Sequence, residues 1–340
     1  MVNIDNKYCC VLCQYKGSFI DLVPVKLYGK MSMNIYKCPS CSLAFVYPLP
    51  TREELEKIYS EDYFASESVF SGYADYNKSR RRNYGEGRIF GKRIRSEFEH
   101  RRILEVGCAT GFFLEGLKSS VKADLYGIEL SQWAALNAGK RTGITVKSGT
   151  LEESDFPDEY FDLIILRDII EHTSDPVIFL KKCFTSLRNG GKLFIKIPNG
   201  RCNLQPFLNT NRKYNVPVNL SQAHLYYFEN RTLKKIIKDC GFKINSFYAV
   251  GLKRGLRALG YIPKYKKKDS TLLNVEDKTK SITKHKEKIP GTDTAEKIET
   301  SQSSGFKSSD LYAEYKYFIK HKLKVPLSIG HNYILWVQKV

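Results

Sequence analysis

No apolar run in this 340-residue chain approaches the roughly 18 residues that a membrane-spanning helix requires. Its start, Met1-Val2-Asn3-Ile4-Asp5, lacks the basic-then-apolar pattern of a secretory signal. The sequence therefore reads as cytoplasmic, and disulfides are not expected among its nine cysteines. Acidic residues are scarce, 36 against 55 lysines and arginines, for a net charge of +19. That balance favours anionic partners such as nucleic acid, anionic lipid or phosphorylated small molecules. The excess is concentrated between 251 and 325, with Lys264, Lys266, Lys267, Lys268, Lys284, Lys286 and Lys288. So dense a run reads as a solvated tether before a binding face. Its part over 253–268 offers a peripheral contact with anionic lipid at a membrane surface. Aromatics are sparse there, which removes the stacking platforms of a single-strand nucleic-acid binder.

What the chain does have begins with cysteine pairs. Cys10-x-x-Cys13 and Cys38-Pro39-Ser40-Cys41 are separated by 24 residues, with Cys9 as a register alternative to Cys10. Two such knuckles aim four thiolates at one point, the requirement of a tetrahedral zinc site. Four protein ligands leave no open position, so zinc here is expected to be structural, supplying stability that so short a segment lacks. Cys108, Cys183, Cys202 and Cys240 lie in apolar or small-residue contexts and read as buried thiols.

After Pro50, Thr51 caps a short helix through Arg52-Glu53-Glu54-Leu55. A second, arginine-rich helix is predicted from about 75 to 98. Between them the aromatics Tyr59, Tyr63, Phe64, Phe70, Tyr73 and Tyr76 read mainly as packing. From Arg101 strands alternate with helices: strands at 102–107, 124–130, 144–148, 161–168 and 191–198, and helices at 111–119, 131–142 and 175–188. That alternation predicts an α/β, doubly wound, Rossmann-like parallel sheet. Asn189-Gly190-Gly191 reads as a helix stop. A helix over 230–240, ended by Gly241, leads to a strand over 243–250, and a last strand closes the chain at 333–340. Between these strands a basic helix is expected over 253–262, disorder over 264–309 and a helix over 310–323. The organisation predicted is thus a zinc-ribbon segment over 1–50, a helical lid over 51–100 and the main domain over 101–250. A basic, partly disordered insertion over 251–325 and a final sheet strand over 326–340 complete it.

The centre of the chain is Ile103-Leu104-Glu105-Val106-Gly107-Cys108-Ala109-Thr110-Gly111. It is a strand running through a small-residue turn into a helix, which lets a ligand approach the backbone where α/β sheets bind. The next strand ends in Gly127-Ile128-Glu129-Leu130, and an acid about 20 positions beyond the turn can take both hydroxyls of a ribose. The turn lacks the dinucleotide G-x-G-x-x-G, with Ala109 where a middle glycine often stands.

These pieces resemble the class I S-adenosylmethionine-dependent methyltransferases. The later ones also match: Gly149-Thr150-Leu151-Glu152, then Phe161 to His172 through Arg167-Asp168-Ile169-Ile170-Glu171, then Leu187 to Phe194. The resemblance covers about 75–250 and implies roles by position. Gly107, Cys108 and Gly111 would pass the methionine half of the cofactor close to backbone. Glu105 would orient its amino end and Glu129 its ribose. Leu130, Thr150 and Leu151 would frame the adenine, and Arg167 and Asp168 would lie beside the sulfonium. The segment Tyr36 to Pro50 resembles the N-terminal part of methyltransferases of sugar and polysaccharide biosynthesis. Some of those methylate sugar nucleotides on carbon and carry a further C-terminal domain for which this sequence has no room.

Methyl transfer to a hydroxyl needs a base, and histidine suits neutral pH. His224, in Ser221-Gln222-Ala223-His224, and His172, after Glu171, are the candidates, with Tyr226 and Tyr227 shaping a sugar pocket. The leading expectation is an O-methyltransferase for a sugar, nucleotide-sugar or glycan intermediate. An RNA methyltransferase gripping phosphate through ribbon and lysines is the second reading, opposed by the lack of an Asn/Asp-Pro-Pro-aromatic sequence after the fourth strand. Sugar C-methylation and a non-catalytic factor at a membrane surface are the remaining ones.

Overall fold

The computed structural model describes residues 1–2, 4, 8–28, 31–60, 63–64, 79–220, 223–261 and 325–340. Phe70, Tyr73, Tyr76, the lysines from 264 to 324, the expected disorder over 264–309 and the helix expected over 310–323 lie outside the described residues.

The N-terminal segment forms β1 (Ile20–Leu27), β2 (Met31–Lys37) and β3 (Ala44–Tyr47), an antiparallel meander. One cysteine knuckle precedes β1 and the other joins β2 to β3. Each turns back on itself in the same way: Gln14 N–H donates to Cys10 O and Ser42 N–H to Cys38 O. Gln14 and Ser42 both take positive φ, 58° and 67°. The sheet is completed by two short strands from far along the chain, β9 (Val218–Leu220) beside β1 and β10 (Tyr226–Tyr227) beside β3.

Thr51 caps α1 (Arg52–Ile58) in a capping box with Glu54. The long helix α2 (Arg80–Phe98) packs along α3 (Phe112–Lys118) with almost no side chain between them. A Cβ on Gly87 would meet Phe113 O at 2.1 Å, and one on Gly116 would meet Tyr84 O at 2.0 Å. Small residues on both helices thus set their separation at backbone contact, and this fixes the height of Glu86, next to Gly87, over the main sheet.

That sheet has seven strands in the order β11-β12-β8-β7-β4-β5-β6. Its centre comprises β4 (Arg102–Val106), β5 (Asp124–Glu129), β6 (Thr145–Ser148), β7 (Phe161–Arg167) and β8 (Leu187–Pro198), all parallel. Helices α3, α4 (Gln132–Thr142) and α5 (Pro176–Ser186) supply the crossovers. β7 is buried along its length apart from Arg167, as a strand covered on both faces should be. The strand order reverses between β4 and β7, the switch point where open α/β sheets form their binding crevice.

Two expectations are corrected. The sheet is mixed, because β12 (Asn332–Lys339) inserts antiparallel between β8 and β11 (Phe242–Val250). The helix predicted to 188 ends at Ser186, and Asn189-Gly190-Gly191 lies inside β8. There the pairing with β7 shifts between Leu187 and Lys192, and Gly190 takes φ +74°. The glycines therefore serve a bulge, a use of positive φ that sequence cannot tell from a helix stop.

Helix α6 (Gly200–Tyr214) leads to the β9–β10 region, α7 (Asn230–Asp239) precedes β11, and α8 is short, Leu252–Ala258. One apolar core runs from Phe19 and Phe45 of the ribbon to Leu104, Leu166 and Ile195 of the main sheet. Among the described residues no helix is long and apolar enough to cross a membrane.

Candidate active site

A cavity of about 580 Å3 opens at the carboxyl ends of β4, β5, β7 and β8. Its volume is that of a pocket for one substantial small molecule. The chain turns out of β4 at Gly107, where φ is +68° and a Cβ would meet Ile169 Cδ1 at 2.0 Å, so only glycine fits. The turn is pinned to β5 by Gly107 and Cys108 N–H donating to Ile128 O.

Glu129, at the end of β5, accepts from Ala109 N–H at 2.9 Å and from Ser131 N–H at 3.0 Å. One backbone amide on each oxygen fixes the carboxylate and leaves a further lone pair on each. Burial pushes its pKa up, against the lowering effect of those amides. Glu105 is 2% exposed. Its Oε1 lies 3.4 Å from Arg167 Nη1, while Oε2 has no hydrogen-bond partner. Burial raises the Glu105 pKa to about 7, with Arg167 opposing.

Arg167 is committed elsewhere as well. Its Nη2 donates to Glu86 Oε2 at 2.8 Å, and its guanidinium stands 3.9 Å over the Phe113 ring. Lys196 lies 3.3 Å from Asp168 Oδ2 and 3.8 Å from Glu86 Oε2. Glu86, Glu105 and Asp168 thus share two cationic side chains, Arg167 and Lys196. Glu86, Lys196 and Asn203 are site residues that sequence reasoning missed. The signal available for Glu86 was an isolated acid among arginines, with glycine on both sides.

Leu130, Thr150 and Leu151 line the cavity on the β5–β6 side, Leu151 fully buried. Gly111 does not reach the wall. It is the left-handed residue that opens α3, and its Cα faces Ala138.

Across the cavity stand His172 and His224, ring centroids 4.7 Å apart. Leu225, next to His224, bonds through its N–H to Glu171 O and through its carbonyl to Val46 N–H. The ribbon sheet therefore holds His224 in place. His172 Nδ1 lies 2.8 Å from Ala223 O and 3.1 Å from Tyr59 Oη. A carbonyl only accepts, so the proton sits on Nδ1 and the Nε2 lone pair stays available. His224 Nδ1 is 2.9 Å from Asn203 Nδ2. The Asn203 amide, by presenting nitrogen or oxygen, selects which ring nitrogen carries the proton. Burial lowers the pKa of His172 to about 4 and that of His224 well below the usual range, helped at His224 by His172 and His331. Both imidazoles are neutral at physiological pH.

Tyr226 and Tyr227 do not shape this pocket, which corrects that expectation. Both are buried in β10, and Tyr226 Oη donates to Ser174 O at 2.8 Å. Strand alternation cannot distinguish a tyrosine packed between two sheets from one facing a ligand.

At the opposite end of the ribbon the four thiols of Cys10, Cys13, Cys38 and Cys41 converge, with all sulfurs within 4.8 Å. Cys10 Sγ stands 3.5 Å from Cys41 Sγ, and Cys13 Sγ 3.6 Å from Cys38 Sγ. Cys9 turns away toward Gln14, so Cys10 is the member of the cluster.

The donor side fits S-adenosylmethionine. The unpartnered Glu105 oxygen suits an ammonium, the anchored Glu129 carboxylate suits a ribose diol, and Leu130 and Leu151 suit a purine face.

The profile of the family described as "Methyltransferase domain" matches residues 76–246 of the chain. The ubiquinone biosynthesis O-methyltransferase of Parvibaculum lavamentivorans is 34% identical over 102 residues, 29% of this chain and 40% of that protein. A probable S-adenosylmethionine-dependent methyltransferase of Mycolicibacterium smegmatis is 25% identical over 191 residues, 55% of this chain and 69% of that protein. Among solved structures, a SAM-dependent methyltransferase from Archaeoglobus fulgidus is 16% identical, with a TM-score of 0.42 over 78% of this chain and 99% of that one. The chain thus spans well under half the length of the ubiquinone-biosynthesis relative.

Proposed function

This chain belongs to the methyltransferase-domain family and carries a class I S-adenosylmethionine-dependent domain, and on that premise we propose that it methylates a hydroxyl of a sugar, nucleotide-sugar or glycan intermediate. The observation that carries this reading is that two buried carboxylates, Glu105 and Glu129, line one cavity with two neutral histidines. S-adenosylmethionine, when bound, supplies a methyl group already activated on a sulfonium. The protein then has to hold that group, exclude water and take a proton from the acceptor.

Glu105 binds the amino end and Glu129 the ribose. Arg167 serves as a brace between Glu105 and Glu86, with its charge spent on both. His224 is the candidate base for the acceptor hydroxyl, with His172 beside it. Oxygen as the acceptor atom is supported by the relatives named O-methyltransferases. A sugar is supported by the resemblance of the segment from Tyr36 to Pro50. Zinc in the Cys10, Cys13, Cys38 and Cys41 cluster would stabilise the sheet that carries His224, a structural role for which four thiolates are suited.

Glu105 gives the donor site a pH dependence. Its folded pKa of about 7 exceeds the ordinary 4.5, so between these values the folded chain keeps a proton that the unfolded chain has lost. This contribution to stability is full below 4.5 and lost as pH rises to about 7. An ammonium ligand needs the ionised carboxylate, so binding below pH 7 releases that proton. S-adenosylhomocysteine affinity is expected to weaken by up to about tenfold per pH unit below 7 in calorimetry, with Glu105→Gln flattening the slope. An equal slope in the variant would remove Glu105 from this role.

The acceptor is tested by incubating the protein and labelled cofactor with an extract split into sugar, lipid and RNA fractions. Label in the sugar fraction is expected. Label confined to lipid would point to a quinone-like acceptor, and label confined to RNA would revive the nucleic-acid reading.

A further inference from the structure

We propose that Glu171, His172 and His224 form a divalent-cation site that holds two adjacent oxygens of the acceptor, an inference that rests on the hydroxyl-methylating reading above. Glu171 lies in the short 3-10 turn Ile170–His172, behind the cavity wall. It is 2% exposed, and neither carboxylate oxygen has a hydrogen-bond partner. A buried carboxylate in that condition is costly unless a cation or a proton accompanies it. One ligand atom from each of Glu171, His172 and His224 lies within 4.8 Å of the others, yet no hydrogen bond joins Glu171 to either ring. The three groups converge on a common point without satisfying one another.

The surroundings orient them. His172 is held by Ala223 O, the backbone carbonyl support that metal-ligating histidines commonly use. His224 is held by Asn203, and Leu225 N–H donating to Glu171 O ties the two segments together. His172 and His224 line the cavity, and Glu171 stands behind them. A cation there would sit at the wall, with Glu171 on its far side. Two imidazoles and one carboxylate leave coordination positions open, unlike the four-thiolate cluster of the ribbon. Those positions face the acceptor side, so an acceptor with vicinal oxygens, such as a sugar diol, could occupy two of them.

Such a cation lowers the pKa of an oxygen bound to it by several units, as it does for water. The acceptor oxygen would then lose its proton to solvent. It would form the new oxygen–carbon bond as the sulfur–carbon bond breaks, the electron pair of the broken bond remaining on sulfur. In this form the histidines act as holders of the cation, and acidification replaces a free imidazole base.

Manganese separates this site from the ribbon, because thiolates select zinc over Mn2+, which takes oxygen donors such as the Glu171 carboxylate and the acceptor. The full chain, purified with zinc, is titrated with Mn2+ and free ion is followed by electron paramagnetic resonance. S-adenosylhomocysteine binding is measured in parallel. One Mn2+ per chain is expected, with affinity at least tenfold weaker in Glu171→Gln and in His224→Asn while S-adenosylhomocysteine binding stays within twofold. His172→Asn provides a third variant should either of these lose its fold. Absence of a manganese site in a wild-type chain that binds S-adenosylhomocysteine would overturn the inference and leave the donor site standing. So would wild-type manganese affinity in the folded variants. Failure of the wild type to bind S-adenosylhomocysteine would overturn both.

Discussion

His224→Ala is expected to lower the rate of methyl transfer by about 10²- to 10⁴-fold, the range that a positioned acid–base group supplies. Cofactor affinity should stay within a factor of two, because the His224 ring bonds to Asn203 and to neither Glu105 nor Glu129. Its segment is held by Val46 and Glu171 backbone and not by any donor-site side chain. Truncation therefore removes a ring from the acceptor side without unseating the donor side. Stopped-time assays with saturating labelled cofactor, paired with calorimetry, read the two effects separately. Normal turnover in a variant that still binds cofactor would show that His224 neither removes a proton nor holds anything that does.

The second large effect concerns the ribbon. Chelation of the zinc proposed there, or Cys38→Ser, is expected to unfold β1 to β3, since structural zinc in small domains contributes an apparent 10–16 kcal/mol or so. The loss should travel to the acceptor side. β9 and β10 pair with ribbon strands, and His224 lies between them. Methyl transfer should collapse, whereas S-adenosylhomocysteine affinity, set by β4, β5 and the β6 loop, should fall much less. Metal analysis of the purified chain and near-ultraviolet circular dichroism before and after chelation check this. A chelated chain with unchanged spectrum and full activity would contradict it.

The donor side was the legible part of this sequence. Gly107 must be glycine because the chain leaves β4 there with a left-handed φ of +68°, and Glu129 must follow at the end of the next parallel strand. Both constraints are local, so spacing expresses them. The cysteine knuckles are legible for the same reason. Glu86 was not legible, because its role depends on how closely α2 approaches α3, a contact between segments far apart in sequence. The two tyrosines of β10 failed in the opposite sense. They look like ligand-facing aromatics until β10 is seen to pair with β3, about 180 residues earlier in the chain. The same long-range pairing brings the ribbon to His224, which no spacing rule foretells. Glu171 was visible beside His172, but its lack of any partner is a property of the folded interior alone.

The central claim is that the crevice at the carboxyl ends of β4, β5 and β7 binds S-adenosylmethionine through Glu105 and Glu129. Titration calorimetry of S-adenosylhomocysteine into the full chain at pH 7.5 or so, above the Glu105 transition, tests it most directly. One site per wild-type chain is expected, with affinity about tenfold or more weaker in Glu129→Ala, since a good charge-assisted hydrogen bond contributes roughly 1.5–3 kcal/mol. A wild-type chain that shows no binding, or a Glu129→Ala chain that binds as tightly as wild type, would contradict it.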